Sequence, residues 1–348
     1  MKFINKLFLI ALTASLFVSC SNDDNDKNDD GPKGVYDNGF FILNEGTKQG
    51  SVSFSSNDLT SFTKDVYTTV NGNDALGKFV QNIFFSGDNA YIISGGANNI
   101  TVVNRYTFKL ITKIETGLKN PRYGVVKDGK AYVTNANTYS YENAATGDTD
   151  DYVAVINLAT NTYESKIDLN STANRVVLKD GKLYITDPAN DKLLVVDIAT
   201  KKLDAPVQIG KNGDCIEEEN GILYILKGGY GNSSELVKVK IADKTTTKIA
   251  FPDSLKEAGF MDLEDNKIYY TVGSAVYAIN TNATAASTTP ILTSAATYIY
   301  GFAVKNNRIY VAQGSFSADG TAYIYSLTGV LQKELTTGLG SNGFYFND

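Results

Sequence analysis

The side chains that could do chemistry in this sequence are carboxylates, phenols, amides, guanidinium groups and two cysteines, because its 348 residues include no histidine and no tryptophan. Without an imidazole there is no Ser-His dyad, no histidine base and no histidine-built metal site. Zinc would also lack sulfur ligands, since Cys215 is the one cysteine beyond residue 20. We therefore expect a protein that is not an enzyme, with no catalytic residue, no cofactor and no metal.

Two acidic clusters are candidate Ca²⁺ ligands, because this ion prefers oxygen ligands. Asp148, Asp150 and Asp151 lie close together in a long loop, but their spacing is not that of an EF-hand, so a solvated acidic loop is the favoured interpretation. The run 217–219 consists of three glutamates, and consecutive residues of a strand point to opposite faces. We expect these glutamates to form a charged strand edge near a turn.

Candidate binding residues are polar or aromatic and lie in loops or at the starts of predicted strands. Tyrosine among Asn, Ser and Gly is typical of binding surfaces, because its large amphipathic ring loses few torsions on binding. The residues predicted to bind a ligand are Gln81, Asn82, Arg122, Tyr123, Tyr139, Tyr141, Asn174, Arg175, Asp214, Tyr230, Tyr300 and Phe316. Further residues expected in the same loops and strand starts are Glu45, Asn98, Asn120, Asn190, Lys227, Tyr298, Gln313, Asn342 and Phe344.

A repeated unit must position these residues. The segment 128–135, DGKAYVTN, recurs at 180–187 as DGKLYITD, and each copy contains a tight turn followed by a strand with an aromatic anchor. The anchors are Phe41, Tyr91, Tyr132, Tyr184, Tyr224, Tyr269 and Tyr310. Their spacing of 40 to 52 residues is typical of repeat architectures.

Each repeat contains four predicted strands. In the third repeat they are residues 124–127, 131–135, 152–158 and 163–169, and the Asp128-Gly129 pair predicts a two-residue hairpin turn. The one short segment with helical spacing after the leader is 253–258. Seven such repeats predict an all-β protein, a seven-bladed β-propeller of four-stranded antiparallel blades.

Ring closure is predicted from the two ends of the repeat region. The first repeat begins at its second strand. Residues 341–346 resemble the first strand of the last repeat, 300–304, and only two residues follow this segment. We therefore expect residues 342–346 to form the innermost strand of blade one, which would remove two exposed sheet edges.

The N-terminal residues 1–19 have the features of a secretory signal, with Lys2 and Lys6 before the apolar run 7–12. The segment 16–20, LFVSC, resembles a bacterial lipobox, although Phe17 is bulkier than the usual residue there. This resemblance implies that Cys20 is lipidated. The alternative is a plain secreted protein that is cleaved nearby.

Residues 20–34 are expected to be a solvated acidic tether, and residues 35–348 the propeller. An acidic run directly after a lipidated cysteine resembles the export signal of Bacteroidota surface lipoproteins. That resemblance implies an anchor in the outer membrane and a propeller that faces the exterior. The alternative is a mere spacer and retention in the periplasm. The net charge is −6 and no basic stripe is evident, so nucleic acid is not an expected partner.

The Tyr132-Val133-Thr134-Asn135 segment, its preceding turn and the following strand at 153–158 resemble the repeat of the YVTN (YncE-like) β-propellers. Among Bacteroidota lipoproteins of this build are surface proteins that deliver ligand to TonB-dependent transporters, including the cobalamin-capturing partner of the vitamin B12 transporter. The resemblance implies the fold, and it suggests a corrinoid as one ligand.

Three functions remain open from the sequence. The first is capture of a nutrient or cofactor for a TonB-dependent transporter, and the second is an adhesion or interaction module that binds protein or glycan. The third, ranked last, is a Ca²⁺-dependent hydrolase or lactonase, which would need several carboxylates in the central channel, where Asp214 is the one acid expected. Binding should occur on the face formed by the loops between second and third strands and by the loops between blades.

Overall fold

Tight turns with positive φ at both central residues define the repeat. In the computed structural model, which describes residues 33–138 and 149–348, Asp128 and Gly129 have φ of 49° and 72°, and Asp180 and Gly181 have φ of 49° and 74°. Asn and Asp tolerate this region, and glycine adopts it without steric cost. These turns therefore connect the first and second strands of blades three and four as predicted.

The described strands form seven antiparallel sheets arranged as blades. In chain order the strands of blade one are β1 (Gly39–Asn44), β2 (Ser51–Ser56) and β3 (Phe62–Thr63), and those of blade two are β4 (Val80–Ser86), β5 (Asn89–Ser94), β6 (Asn99–Asn104) and β7 (Leu110–Ile114). Blade three contains β8 (Pro121–Lys127), β9 (Lys130–Asn135), β10 (Tyr152–Asn157) and β11 (Thr162–Asp168). Blade four contains β12 (Val176–Lys179), β13 (Lys182–Asp187), β14 (Lys192–Asp197), β15 (Lys202–Leu203) and β16 (Val207–Gln208).

The last three blades follow the same order. Blade five contains β17 (Gly213–Glu219), β18 (Ile222–Lys227), β19 (Glu235–Lys240) and β20 (Thr246–Ala250). Blade six contains β21 (Ala258–Glu264), β22 (Lys267–Val272), β23 (Ala275–Asn280) and β24 (Leu292–Thr293). Blade seven contains β25 (Ile299–Lys305), β26 (Arg308–Gln313), β27 (Thr321–Ser326) and β28 (Leu331–Thr336). In blade four the outermost position is shared by β15 and β16, which both pair with β14.

The last strand, β29 (Ser341–Asn347), closes the ring. It pairs antiparallel with β1, with Phe344 opposite Ile42 and Tyr345 opposite Phe41, so the blade-one order is β29-β1-β2-β3. The predicted closure by residues 342–346 is confirmed, and so is the all-β seven-bladed fold.

The hydrophobic core lies between neighbouring blades. One cluster combines Tyr132 and Val153 of blade three with Leu183 and Ile185 of blade four, all of them buried. All seven predicted aromatic anchors are buried as well. Because both faces of each sheet are covered by other blades, the middle strands are continuously apolar, whereas outer strands such as β11 alternate between exposed and covered residues.

Helical structure differs from the prediction. The segment 253–258 contains only a 3₁₀ turn, Asp253–Leu255, and a second 3₁₀ turn is formed by Gly95–Ala97. An unpredicted helix, α1 (Val66–Asn71), connects blades one and two. No helix in the described part of the chain is long and apolar enough to cross a membrane.

Helix α1 forms despite its β-branched sequence, VYTTVN, which favours strands. The Asp65 carboxylate caps its start by accepting a bond from the Thr68 amide at 3.3 Å. Tyr67 is buried, packs edge-on against Phe108, and donates its hydroxyl to Asp74 at 2.6 Å. Contacts with blade two therefore override local propensity at this position.

Candidate functional site

A central cavity of about 530 Å³ lies among the innermost strands. Its lining comes from β4, β8, β17, β21, β25 and β29, together with Arg175 directly before β12, so all seven blades contribute. The upper face of the ring is defined here as the loops between second and third strands and the loops that lead into each innermost strand. The hairpin turns between first and second strands lie at the opposite end.

Four predicted binding residues form one hydrogen-bonded group near the upper end of the innermost strands. Arg122 donates from Nε to Asn174 Oδ1 at 3.2 Å, and the side-chain Nδ2 of Asn174 donates to the Asp214 carboxylate. Arg175 Nε also donates to Asp214 Oδ2, at 3.4 Å. The structure thus brings residues from blades three, four and five, predicted only to lie at strand starts around the channel, into contact with one another.

Three more predicted residues extend this group. The Arg175 guanidinium lies 4.7 Å from the ring centre of Tyr123, and the Tyr123 hydroxyl accepts a bond from Gln81 Nε2 at 3.0 Å. Asn82 donates to the Tyr345 hydroxyl at 3.4 Å and accepts from the Gly124 amide at 3.2 Å. Asn82, Tyr123 and Arg175 line the central cavity, as does Tyr345.

Three acids in the central cavity were missed by the sequence reasoning. Glu217 of β17 and both Asp262 and Glu264 of β21 line it, whereas Asp214 is not among its lining residues. The expectation that Glu217 belongs to a charged edge near a turn is therefore wrong, and Asp214 is not the sole acid near the channel. An innermost strand has one free edge along the channel, so side chains from either of its faces can reach the cavity.

Burial shifts the titration of Glu217 and Asp262. Burial first, and then the neighbouring Asp262, raise the pKa of Glu217 above its ordinary value, while Arg175 opposes the rise. Burial also raises the pKa of Asp262, even though the amides of Val304 and Leu263 each donate a bond to it at 2.7 Å. The pair therefore retains a proton at pH values where free carboxyl groups have lost theirs.

A second group of aromatic residues lies on the upper face at blade seven. Tyr300 donates its hydroxyl to Glu45 Oε2 at 2.5 Å, and burial and this bond raise its pKa. Its ring is stacked with that of Tyr298 at 6.0 Å and meets Phe316 edge-on at 5.1 Å. Tyr300 and Phe316 were predicted binding residues, and the structure brings them together.

The exposed aromatic side chains of the described residues share one face. They are Phe79, Tyr230, Tyr298 and Phe316, with exposures of 41%, 94%, 59% and 48%, and all four lie in upper-face loops. Exposed aliphatic residues such as Leu110, Leu203 and Leu331 lie instead on the outermost strands of their blades. The exposed aromatic rings of the described residues therefore all lie on the upper face, distributed over blades two, five and seven.

A cleft of about 600 Å³ lies on the upper face between blades five, six and seven. We call it the Tyr230 cleft. Its lining is formed by Gly229, Tyr230, Lys256, Glu257, Gly259, Phe260, Thr271, Val272, Gly273 and residues 297–299. Tyr230, a predicted binding residue, lines it, and so does Tyr298, which was expected in the same set of loops. The glycines, aliphatic residues and charged residues of the lining carry no binding signal in a sequence. Phe260 lines both this cleft and the central cavity.

Several predictions fall elsewhere. Tyr139, Tyr141, Asp148 and Cys20 lie outside the described residues. Phe344, expected at the start of a first strand around the central channel, lines the central cavity and is also buried against Phe40 and Tyr310 of the core.

Cys215 lies buried at the start of β17, as expected for a small core residue, and burial raises the pKa of its thiol to about 11. Asp150 and Asp151 accept hydrogen bonds from the Asn137 side chain and the Asn137 amide, which ties the base of the long loop together. Within residues 33–138 and 149–348, no group of three or more Asp, Glu, His or Cys residues is placed to hold a metal ion.

Solved structures with the same architecture confirm the fold. The computationally designed Ika8 protein has a TM-score of 0.58 at 12% identity, over 91% of this chain and 92% of that one. The dihydro-heme d1 dehydrogenase NirN in complex with DHE has a TM-score of 0.57 at 12% identity, over 90% and 76%. Apo AztD from Citrobacter koseri has a TM-score of 0.54 at 13% identity, over 88% and 97%. At such identities the likeness shows the fold alone.

A comparison with curated proteins found no match. A protein family does match residues 38–319, and its description is "Domain of unknown function (DUF5074)". Because this match covers most of the sequence, the chain belongs to the DUF5074 family, and its fold is a seven-bladed β-propeller that resembles the YVTN-type propellers.

Proposed function

We propose that this protein is a non-catalytic lipoprotein of the outer membrane that faces the exterior, captures a nutrient or cofactor on its upper face, and passes it to a TonB-dependent transporter. The proposed location at the outer membrane is supported by the leader of residues 1–19, the lipobox-like segment ending at Cys20, and the acidic tether that continues to residue 34. A corrinoid is the first ligand to test, because the YVTN-like repeat resembles that of cobalamin-capturing lipoproteins.

The observation that carries the proposal is the collection of all four exposed aromatic side chains on one face of the described ring. Exposing an aromatic ring to water is unfavourable, and aromatic side chains are enriched at surfaces that bind. The rigid blades hold these rings in fixed loops, so little conformational entropy is lost when a ligand binds.

The polar groups on the same side suit a large ligand with both flat and amide-rich parts. Arg122, Asn174 and Gln81 supply guanidinium and amide groups beside the central cavity, while Tyr298 and Phe316 supply apolar ring surface at blade seven. A corrinoid presents a flat macrocycle fringed by amides, which matches this combination of donors and rings.

A glycan-binding or protein-binding module is the second candidate, and the Tyr298–Tyr300 pair favours it. The two rings lie 6.0 Å apart with 28° between their planes, which gives a broad aromatic platform on which a sugar could stack. A Ca²⁺-dependent hydrolase has weaker support, because the Asp214 carboxylate is engaged by Arg175 and Asn174.

Calorimetry on the purified full chain tests the proposal with cyanocobalamin first, then a ferric siderophore and a set of oligosaccharides. The double variants Tyr298→Ala with Phe316→Ala, and Arg122→Ala with Tyr300→Ala, should lose about thirtyfold or more in affinity, because aromatic and arginine anchors commonly contribute about 2 kcal/mol each. Leu331→Ala, an exposed apolar residue on the outer strand β28, is the matched control and should bind like wild type.

If the wild type binds cyanocobalamin, the corrinoid assignment stands, and binding only of an oligosaccharide would favour the second candidate. Binding of none of the three ligand classes would contradict capture of these nutrients. Undiminished affinity in both double variants would place the site elsewhere.

A further inference from the structure

The Tyr230 cleft has the volume of a ligand site. Its volume of about 600 Å³ lies within the range of about 300–1,000 Å³ that is typical of small-molecule pockets. Tyr230 forms one wall with 94% of its side chain exposed, and Tyr298 forms another with 59% exposed. Two aromatic walls around an open space offer a place where a flat ring can stack.

The loop that carries Tyr230 is held in place by hydrogen bonds from blade six. The Gly229 amide donates to the Ala258 carbonyl at 3.0 Å, and the Glu257 amide donates to the Asn232 carbonyl at 3.0 Å. The Glu257 carboxylate also accepts a bond from the Gly231 amide at 2.8 Å. The exposed ring of Tyr230 is therefore carried by an anchored loop.

The floor of the cleft is open because glycines form it. Gly229 and Gly273 have φ of 84° and 57°, so their turns favour glycine. Gly259 has no such requirement, and a Cβ atom added there would come no closer than 3.6 Å to Thr271 Oγ1, an ordinary contact. A side chain at position 259 would fit the backbone but would project into the cleft, so the glycine at this position keeps the cleft open.

The two charged residues that line the cleft have opposite signs, so the formal charge of its lining is zero. Lys256 and Glu257 carry opposite charges, Lys256 pairs with Asp253 at 3.3 Å, and Glu257 is bonded to the Gly231 amide. The Thr271 hydroxyl accepts a bond from the Phe260 amide at 3.1 Å. With no net formal charge to attract an ionic group, the rings and the aliphatic surface of Val272 and Ile299 suit a neutral one.

We propose that the Tyr230 cleft binds a neutral, flat aromatic ring group. The inference rests on the proposed function in one respect, namely that the upper face captures ligand, and it adds the chemical class of the part that enters this cleft. In a corrinoid, that part would be the nucleotide base. A free aromatic compound of similar shape should bind the same cleft more weakly.

The first experiment tests the cleft without any corrinoid. N-phenyl-1-naphthylamine, a neutral aromatic dye, is titrated into the chain carrying Cys20→Ala, whose loss of the predicted lipid anchor avoids detergent micelles. We expect a saturable fluorescence increase that Gly259→Leu reduces at least tenfold in affinity, because the leucine fills the cleft. Gly259→Ala is the matched control and should change the affinity less than threefold, and both variants should melt like the parent chain.

Tyr230→Ala provides a second, independent variant in case Gly259→Leu fails to fold. Because Tyr230 is almost fully exposed, its removal should leave melting unchanged while weakening dye binding at least tenfold. A parent chain without saturable dye binding would overturn the proposal. So would dye affinity that is equal in the parent chain and in the folded cleft variants.

The second experiment connects the cleft to the proposed function. Cyanocobalamin and dicyanocobinamide, which lacks the nucleotide base, are compared in the same chains. Gly259→Leu should weaken cyanocobalamin binding at least tenfold and leave dicyanocobinamide binding unchanged. If neither corrinoid binds the parent chain but the dye does, the corrinoid assignment fails while the cleft assignment stands. Equal losses for both corrinoids would overturn the assignment of the base to this cleft.

Discussion

The guanidinium group of Arg175 lies over the ring of Tyr123, with 4.7 Å between its central carbon and the ring centre, although the two residues belong to neighbouring blades. The same side chain donates a hydrogen bond to Asp214 of the next blade at 3.4 Å. Arg175 therefore links blades three, four and five beside the central cavity. Its charge also opposes the rise in the pKa of Glu217.

The stability of the protein should fall as the pH rises from about 5 to about 8. Glu217 and Asp262 have raised pKa values when folded, so the folded state binds more protons than the unfolded state between the ordinary and the raised pKa. The stabilisation that these two groups contribute is then fully present at low pH and is lost as the pH rises through their folded pKa values. The loss is up to about 1.4 kcal/mol per pH unit for one extra proton.

Glu217→Gln should flatten this dependence and raise the melting temperature at about pH 8 relative to wild type. Glu219→Gln removes the same formal charge from the same strand outside the cavity and serves as the control. Melting curves across the pH range provide the measurement. A slope in Glu217→Gln as steep as that of wild type would show that Glu217 does not hold the extra proton.

Arg175→Gln should lower the stability of the protein and make it depend more steeply on pH, because Glu217 and Asp214 both lose a positive neighbour. We expect destabilisation on the order of 2 kcal/mol that grows with pH, since a charged group left without its partner in a covered site is costly. Arg175→Lys retains the charge but loses the planar stack on Tyr123, so it should keep the wild-type slope with a smaller loss of stability. Denaturant titrations at two pH values separate the overall loss of stability from its dependence on pH. An equal change of stability with pH in wild type, Arg175→Gln and Arg175→Lys would contradict the role of the Arg175 charge.

Removal of residues 341–348 should open the ring. It deletes β29, exposes an edge of β1 and uncovers the side of blade seven against which Phe344 packs. We expect a lower melting temperature and aggregation in size-exclusion chromatography. Phe344→Ala tests the packing alone and should cost about 3–5 kcal/mol. Removal of Asp348 alone, which follows β29, is the control, and a truncated chain that stays monomeric with unchanged melting would refute the closure.

Cys20→Ala should release the protein from the membrane fraction, because a lipid on this residue is the proposed anchor. Immunoblots of separated membrane and soluble fractions measure the release. In the wild type, protease added to intact cells should degrade the propeller if it faces the exterior. Full protection, while known surface proteins are cleaved in the same sample, would place the protein in the periplasm.

The fold was predictable because its signals are local and repeated. The Asp-Gly turns before Tyr132 and Tyr184 require positive φ at both residues, and strand propensity and the period of the anchors do not depend on distant contacts. Closure by β29 followed from a missing strand at one end and a surplus one at the other. Helix α1 escaped prediction because Tyr67 packs against Phe108, 41 positions away in the sequence, and local propensity does not register that contact.

The sequence by itself determined the architecture, the excluded histidine chemistry and the polar residues at the starts of the innermost strands. Only the tertiary structure decided which of these residues meet. Glu217 and Asp262 are 45 positions apart and become neighbours in the cavity because adjacent blades place equivalent strand positions side by side. Gly259 and Tyr230 line one cleft for the same reason, because the open space between blades depends on how the blades pack. Gly259 contributes to the cleft by having no side chain, and such a contribution leaves no chemical signal in the sequence.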